Sequence, residues 1–289
     1  MSLSVIVVNY NTRGLLTTCL QSLAEHLRVE HEVVVIDNAS ADGSAAMLRE
    51  KFPNVRLISM DANLGFAAAV NAGIAATTGQ YVCWLNPDAR LLNDGIGEVL
   101  AYLDEHADAG IVGPQVVNPD GSMQHSSRRF PTVRAAFFNR NSLMTRFFPE
   151  NRFSRRYLGM DRDRETIHQT DWVSGACLIH RREVGTLDER FFLYMEDIDF
   201  CLRATRAGWK VMYHPALRVV HQIGASSRHF PVRRVIAMHR SIWRYYAKHF
   251  HRNVVLDLAS AALIGARCLM MMLEAVLFGA RSPPVPRKE

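Results

Sequence analysis

Cysteine is scarce in this 289-residue chain and follows no pattern: Cys19, Cys83, Cys177, Cys201 and Cys268 include no C-x-x-C pair. That argues against a zinc ribbon or a disulfide framework and suits free thiols in a reducing compartment. No G-x-G-x-x-G and no Walker lysine motif is present, so the two common glycine-rich phosphate cradles are excluded. The opening residues have no cationic flank and no small-residue cleavage site, and read as a first strand rather than a signal peptide. The most apolar stretch, Val254 to Ala280, is broken by Asp257, Arg267 and Glu274. It falls short of the roughly 18 uninterrupted apolar residues that suggest a spanning helix. Acids are also in deficit, 28 against 34 Lys and Arg, for a formal charge of +6. A basic chain suits an anionic partner, whether nucleotide, phospholipid or nucleic acid. At 48% hydrophobic and 21% charged, the composition is that of a globular protein long enough for a substantial core.

The first half of the chain alternates strand and helix. Ser4 to Tyr10 is a continuous apolar run, typical of a strand buried on both faces. Asn11-Thr12 caps a helix whose Leu16, Cys19, Leu20 and Leu23 share one side. Strands follow over Glu32 to Ile36, Val55 to Ser59 and Tyr81 to Leu85, with helices near Ser44 to Lys51 and Phe66 to Thr77 between them. Each polar cluster falls at the C-terminal end of a strand or just beyond it: Asn9-Tyr10-Asn11, Asp37-Asn38, Asn63-Leu64-Gly65 and Asn86-Pro87-Asp88. Open parallel sheets bind ligands in the crevice beyond those ends, so this register points to a nucleotide site.

A second signal lies later, at Glu196-Asp197-Ile198-Asp199. Ile198, Cys201, Leu202 and Thr205 recur at helical spacing, and Gly208 stops the helix. Glu196 and Asp197 therefore sit in the first turn, where the helix dipole favours an ionised carboxylate suited to general base work. Asp199 is expected to pair structurally, for example with an arginine. His221 follows the strand Leu217 to Val220.

Taken in order, Val7-Val8-Asn9-Tyr10-Asn11, Asp37-Asn38-Ala39-Ser40, Asn63-Leu64-Gly65 running on to Asn71-Ala72-Gly73, Leu85-Asn86-Pro87-Asp88, Trp172-Val173-Ser174-Gly175-Ala176, the acidic helix and His221 resemble the motif series of family 2 inverting glycosyltransferases, and within them the rhamnosyltransferase-like branch. The resemblance runs from Ser4 to Gly224, about three quarters of the chain. It implies an α/β fold of the GT-A type, a mostly parallel sheet flanked by helices, with a C-terminal helical appendage. By the same resemblance Asn9, Tyr10, Asp37 and Asn38 line a nucleoside pocket, while Asn63 and Gly65 lie along the ribose and diphosphate. Asp88 corresponds to the last aspartate of the family's D-x-D motif, whose first carboxylate is here the amide of Asn86. With His221 and the donor diphosphate, Asp88 would hold Mg²⁺ or Mn²⁺. Asp197 is implied as the base, and Trp172, Gly175, Ala176 and Glu196 as the acceptor site. The implied reaction is a single in-line displacement with inversion, with rhamnose from dTDP-rhamnose as first choice of donor.

Between Arg128 and Arg164 lie ten arginines and only three acids, interleaved with Phe137-Phe138, Leu143-Met144 and Phe147-Phe148. This mixture suits an anionic membrane surface or a lipid-linked glycan acceptor better than nucleic acid, which is not expected as a partner. The organisation expected is a catalytic domain over 1–224 with a basic insertion about 128–165, a helical region over 225–280 that associates with membrane or forms a homo-oligomer, and a disordered tail over 281–289. The protein is then a peripheral enzyme on the cytoplasmic face of the cell membrane. Asn86 leaves a second reading, a non-catalytic nucleotide-sugar or membrane-binding protein retaining the fold; intact Asp88, Asp197 and His221 favour the enzyme.

Overall fold

The computed structural model describes residues 2–131, 163–222, 231–250 and 253–278. Most of the basic segment between Arg128 and Arg164, and the tail over 281–289, lie outside the described residues.

The expected alternation is present. It runs β1 (Leu3–Asn9), α1 (Arg13–His26), β2 (His31–Asp37), α2 (Ser44–Lys51), β3 (Arg56–Ser59), α3 (Phe66–Ala75) and β4 (Tyr81–Leu85). After these come β5 (Ala89–Leu91), α4 (Ile96–Glu105), β6 (Ala109–Val117), β7 (Ser127–Arg128), β8 (His168–Thr170), β9 (Trp172–Val173) and β10 (Cys177–Arg181). The chain continues through α5 (Glu196–Arg206), β11 (Lys210–His221), α6 (Pro231–His249) and α7 (Val254–Phe278).

Among the described residues nine strands form one sheet in the order β3-β2-β1-β4-β10-β6-β11-β5, with β8 added alongside β11. β1 pairs in parallel with β2 and β4, β2 with β3, and β6 with β11. β10 enters antiparallel between β4 and β6, and β5 and β8 run antiparallel to β11. The result is a mixed, mostly parallel sheet.

Why β1 reads as an unbroken apolar run is now visible. Val5 and Val7 point into a cluster with Leu16, Leu20 and Leu23 of α1, while Ile6 and Val8 point the other way, among Val70 and Ile74 of α3. A strand covered on both faces has no place for polar alternation. Each leucine of α1 taken fully out of water contributes about 1.5–3 kcal/mol. On the α3 side, Ile198, Phe200 and Cys201 of α5 join the same cluster, seating the acidic helix on the sheet. Gly208, at φ +96°, ends that helix as the sequence predicts, and its N–H bonds back to the Thr205 carbonyl at 3.1 Å.

The C-terminal helices attach in different ways. α6 grips the lead-in to α5: Ser241 Oγ donates to the Leu193 carbonyl at 2.8 Å, and Arg244 donates to the Arg190 carbonyl. α7 packs against α6 and leaves its outer side exposed and apolar, with Val255, Leu258, Leu269, Leu273 and Val276 each more than half exposed. It is one continuous helix, and among the described residues it alone is long and apolar enough to cross a membrane. Asp257, counted in the sequence as an interruption, is 9% exposed and accepts a 3.0 Å bond from Tyr246 Oη, so that charge is turned inward to α6.

Candidate active site

Strand ends assemble the site. β1 and β2 run parallel in register, Asn9 against Asp37, so both polar clusters emerge side by side. Asn9 is fully buried: its Nδ2 donates to Asp37 Oδ1 at 2.7 Å and to Ser40 Oγ at 2.9 Å, and its Oδ1 accepts from Thr12 at 2.6 Å. It fixes the direction of the Asp37 carboxylate, which also accepts the Ser40 N–H at 3.2 Å. Tyr10 follows at the strand end, half-buried, before Asn11 turns through φ +54°.

Asn38 ties the second cluster to the third. Its Nδ2 reaches Asn63 Oδ1 at 3.0 Å and the Gly65 carbonyl at 3.2 Å, while its Oδ1 accepts the Leu64 N–H at 3.0 Å. Gly65 has φ +90°, and a Cβ there would lie 2.5 Å from the Phe192 carbonyl oxygen. The close approach that this glycine permits is therefore that of the Phe192 backbone, whose carbonyl accepts the Phe66 N–H at 2.8 Å. Asn71 makes a second tie between α3 and the same loop, donating to the Leu187 carbonyl and accepting its N–H, each at 2.9 Å.

The acidic helix opens after two consecutive left-handed residues, Tyr194 at φ +67° and Met195 at φ +70°. Such strain persists only where surrounding structure enforces it, and it concentrates at functional sites. Here Ser241 and the Gly65 approach hold the loop. Asp197 then has both oxygens oriented: Oδ2 accepts the Gly175 N–H at 2.9 Å and Oδ1 the Ile198 N–H at 2.8 Å. Burial raises its pKa above the ordinary aspartate value, opposed by those two bonds and by the Arg128 charge. Glu196, 7% exposed, is pushed well up by burial and by Asp197 beside it. Burial therefore outweighs the favourable helix terminus on which the sequence expectation rested, and these acids are more basic than exposed carboxylates. A base whose pKa rises toward the working pH gains proton affinity.

Gly175 and Ala176 lead into β10, and the Ala176 carbonyl accepts the Asn86 N–H at 2.9 Å. Asp197 is thus linked through the backbone of Gly175 and Ala176 to the Asn86-Pro87-Asp88 turn. Trp172 is 6% exposed, donates through Nε1 to the Arg129 carbonyl at 2.9 Å, and carries the Arg128 guanidinium 5.3 Å from its ring centre. A sugar approaching that ring face would have to displace Arg128.

The β5 to β11 pairing aligns His221 with Ala89, and the Gln222 N–H donates to the Asp88 carbonyl at 3.0 Å. That register sets His221 Nε2 3.4 Å from Asp88 Oδ1. Adjacent ligands of an octahedral Mg²⁺, each at about 2.0–2.1 Å, lie about 3 Å apart, so a carboxylate and an imidazole so placed fit a shared divalent ion. Among the described residues no group of three or more His, Cys, Asp or Glu is placed to hold a metal unaided, so a ligand oxygen or water must complete any such shell.

Asp199 behaves as expected, pairing with Arg203 Nε at 2.8 Å. The sequence did not disclose two further partners from α6, Lys248 Nζ and His249 Nε2, each 2.7 Å from Oδ1. Lys248 also reaches Asp188 at 2.7 Å. Gln124, beside His221, was likewise missed; the two lie 97 positions apart and no local pattern joins them. A separate cavity of about 620 Å³, lined by Leu20, His31, Lys51 and Arg56 among others, opens where β2 begins, away from these strand ends.

Residues 4–182 match the sequence profile of Glycosyl transferase family 2, and the chain belongs to that family. It is a glycosyltransferase. It is 32% identical over 261 residues to an N-acetylglucosaminyl-diphospho-decaprenol L-rhamnosyltransferase of Mycobacterium tuberculosis, covering 85% of this chain and 84% of that protein. A dTDP-rhamnosyl transferase of Shigella flexneri is 25% identical over 90% of this chain and 86% of its own length. In three dimensions the chain resembles a mannosyltransferase of Pyrobaculum calidifontis solved with GDP-mannose and Mn²⁺. The TM-score is 0.58 at 18% identity, over 98% of this chain and 76% of that one. This last likeness establishes the GT-A-like fold.

Proposed function

We propose that the protein is an inverting rhamnosyltransferase that moves rhamnose from dTDP-rhamnose to a hydroxyl of a lipid-linked glycan in cell-surface polysaccharide synthesis. The observation that carries the catalytic part is the double anchoring of Asp197 at the mouth of α5, joined through the backbone of Gly175 and Ala176 to the Asn86-Pro87-Asp88 turn. The choice of sugar and of a lipid-linked acceptor is supported by similarity to the two rhamnosyltransferases.

In this reading the nucleoside lies on Tyr10, Asp37 and Asn38, with Asn9 orienting Asp37, and the ribose and diphosphate run along Asn63 and Gly65. Asp88 and His221 would hold Mg²⁺ or Mn²⁺ together with the diphosphate; when bound, the ion stabilises negative charge on the leaving group. Gly175, Ala176, Glu196 and Trp172 border the acceptor. Asp197 takes the proton from the acceptor hydroxyl as its oxygen bonds to the anomeric carbon. The bond from that carbon to the diphosphate breaks, its electron pair leaves with the diphosphate, and the configuration inverts. Holding the reactants in line contributes several kcal/mol of the barrier reduction, of the order attributed to positioning. The exposed apolar side of α7 would seat the enzyme on the membrane surface that carries the acceptor, on the cytoplasmic side.

Asp197→Asn tests the assignment. Turnover, read as release of free nucleoside diphosphate, is expected to fall about 10²–10⁴-fold, the usual worth of a positioned base. Donor affinity by calorimetry, with Mn²⁺ present, is expected to stay within about twofold. Near-normal turnover would remove Asp197 from that role.

A further inference from the structure

Gln124 meets His221 through both ends of its amide. Its Nε2 lies 2.6 Å from the His221 carbonyl, 2.9 Å from Asn118 Oδ1 and 3.4 Å from the Val117 carbonyl. All three are acceptors, so the amide nitrogen belongs on that side and Oε1 on the other. Oε1 lies 3.3 Å from His221 Nδ1. An amide oxygen can only accept, so Nδ1 must carry the proton of a neutral ring. The lone pair then sits on Nε2, the atom turned toward Asp88 Oδ1 at 3.4 Å.

We propose that Gln124 is a positioning residue that fixes the Nδ1–H tautomer of His221 and so presents its Nε2 lone pair, with Asp88, to the divalent cation of the donor complex. The inference rests on the cation role of Asp88 and His221 given above. Side chains that hydrogen-bond to a ligating histidine and orient its ring typically govern metal affinity by about 10–100-fold. The site is also built for it: Gln124 is half-buried and its backbone N–H bonds to the Val116 carbonyl at 2.9 Å, so the amide is not a wandering surface group.

The test uses the full chain with histidine ring nitrogens labelled, and assigns the His221 signals by their loss in His221→Ala. Nitrogen NMR at a pH where the ring is neutral should show the Nδ1–H tautomer in the wild type. Gln124→Met, which keeps length and apolar stem, should lose that preference while the other histidine signals stay in place. In parallel, Mn²⁺ binding in the presence of thymidine diphosphate is read by loss of the free-ion electron paramagnetic resonance signal. Gln124→Met is expected to weaken it about 10–100-fold, and His221→Ala at least as much.

An Nε2–H tautomer in the wild type would overturn the proposal. So would unchanged Mn²⁺ affinity in Gln124→Met when His221→Ala lowers it. Unchanged affinity in both variants would instead refute the cation role of His221, and the proposal with it. If Gln124→Met fails to fold, Gln124→Leu and the wild-type tautomer carry the test.

Discussion

Replacing Asp199 by asparagine should unfasten the acidic helix from the C-terminal region. Asp199 is fully buried and receives three charge-assisted bonds, from Arg203 at 2.8 Å and from Lys248 and His249 at 2.7 Å. Asparagine keeps the shape, removes the negative charge and points at least one N–H at a donor. Removing one member of a buried ion pair costs about 3–5 kcal/mol. That figure must be discounted here. The side chains of Arg203 and Lys248 are 33% and 22% exposed, and each keeps another acceptor, the Thr186 carbonyl and Asp188. A loss of about 2–3 kcal/mol remains after screening of the exposed partners. Urea unfolding reads it as a drop of about 1 M in midpoint at an unchanged slope near 2–3 kcal/mol per M. The pH dependence supplies a second check. The bonds and charges around Asp199 hold its folded pKa below the ordinary value, although burial alone would raise it. Its contribution is therefore fully present above the unfolded value, about 3.9, and fades as pH falls toward the lower folded value. The gap between wild type and variant should not narrow from pH 8 to 5, since protonating His249 beside Asp199 can only favour the wild type, and it should begin to close only below about pH 4. A midpoint shift under about 0.3 M, which is below 1 kcal/mol at that slope, or a gap that already closes near pH 6, would refute this account.

Asp88→Ala should weaken thymidine diphosphate binding in Mn²⁺ about 10-fold or more while leaving thymidine binding unchanged, as expected when a metal ligand is lost; calorimetry with both ligands separates the two, and equal losses would move the cation elsewhere. Arg128→Met removes the positive charge that lowers the Asp197 pKa. The acid limb of kcat should therefore shift to higher pH, since activity is lost as pH falls through the pKa of the base; a limb that stays or moves down contradicts the role of Arg128. Leu269→Glu with Leu273→Glu, both on the exposed side of α7, should reduce sedimentation with anionic liposomes several-fold at low salt. Unchanged sedimentation would place membrane contact elsewhere.

Local signals in the chain identify much of this architecture. The unbroken apolar run of β1, the helical spacing after Glu196 and the polar residues near strand ends each depend on neighbours a few positions away, and sequence displays those directly. The Arg203 partner of Asp199 was accessible for the same reason, lying one helical turn on. What stayed hidden depends on contacts across the chain. Lys248 reaches Asp199 from 49 positions away, and Gln124 reaches His221 from 97. The protonation behaviour of Glu196 and Asp197 was hidden too, because the helix terminus is written in the sequence whereas burial is created only by folding. Gly65 shows a middle case: its need for close approach was legible, but the partner, Phe192, was not.

The grip of α6 on Asp199 redraws where the working enzyme must end. The family profile matches only as far as residue 182, and the acid-bearing helix lies beyond it. A chain cut after residue 224 would still contain Asp197, yet it would strip Asp199 of Lys248 and His249 and leave Arg203 as its only charged partner among the three. Such a fragment would carry the reacting groups on a helix that has lost two of the three charged partners of Asp199, and it is expected to be less stable than the full chain. An active fragment is therefore expected to reach at least His249, the last of the residues that hold Asp199.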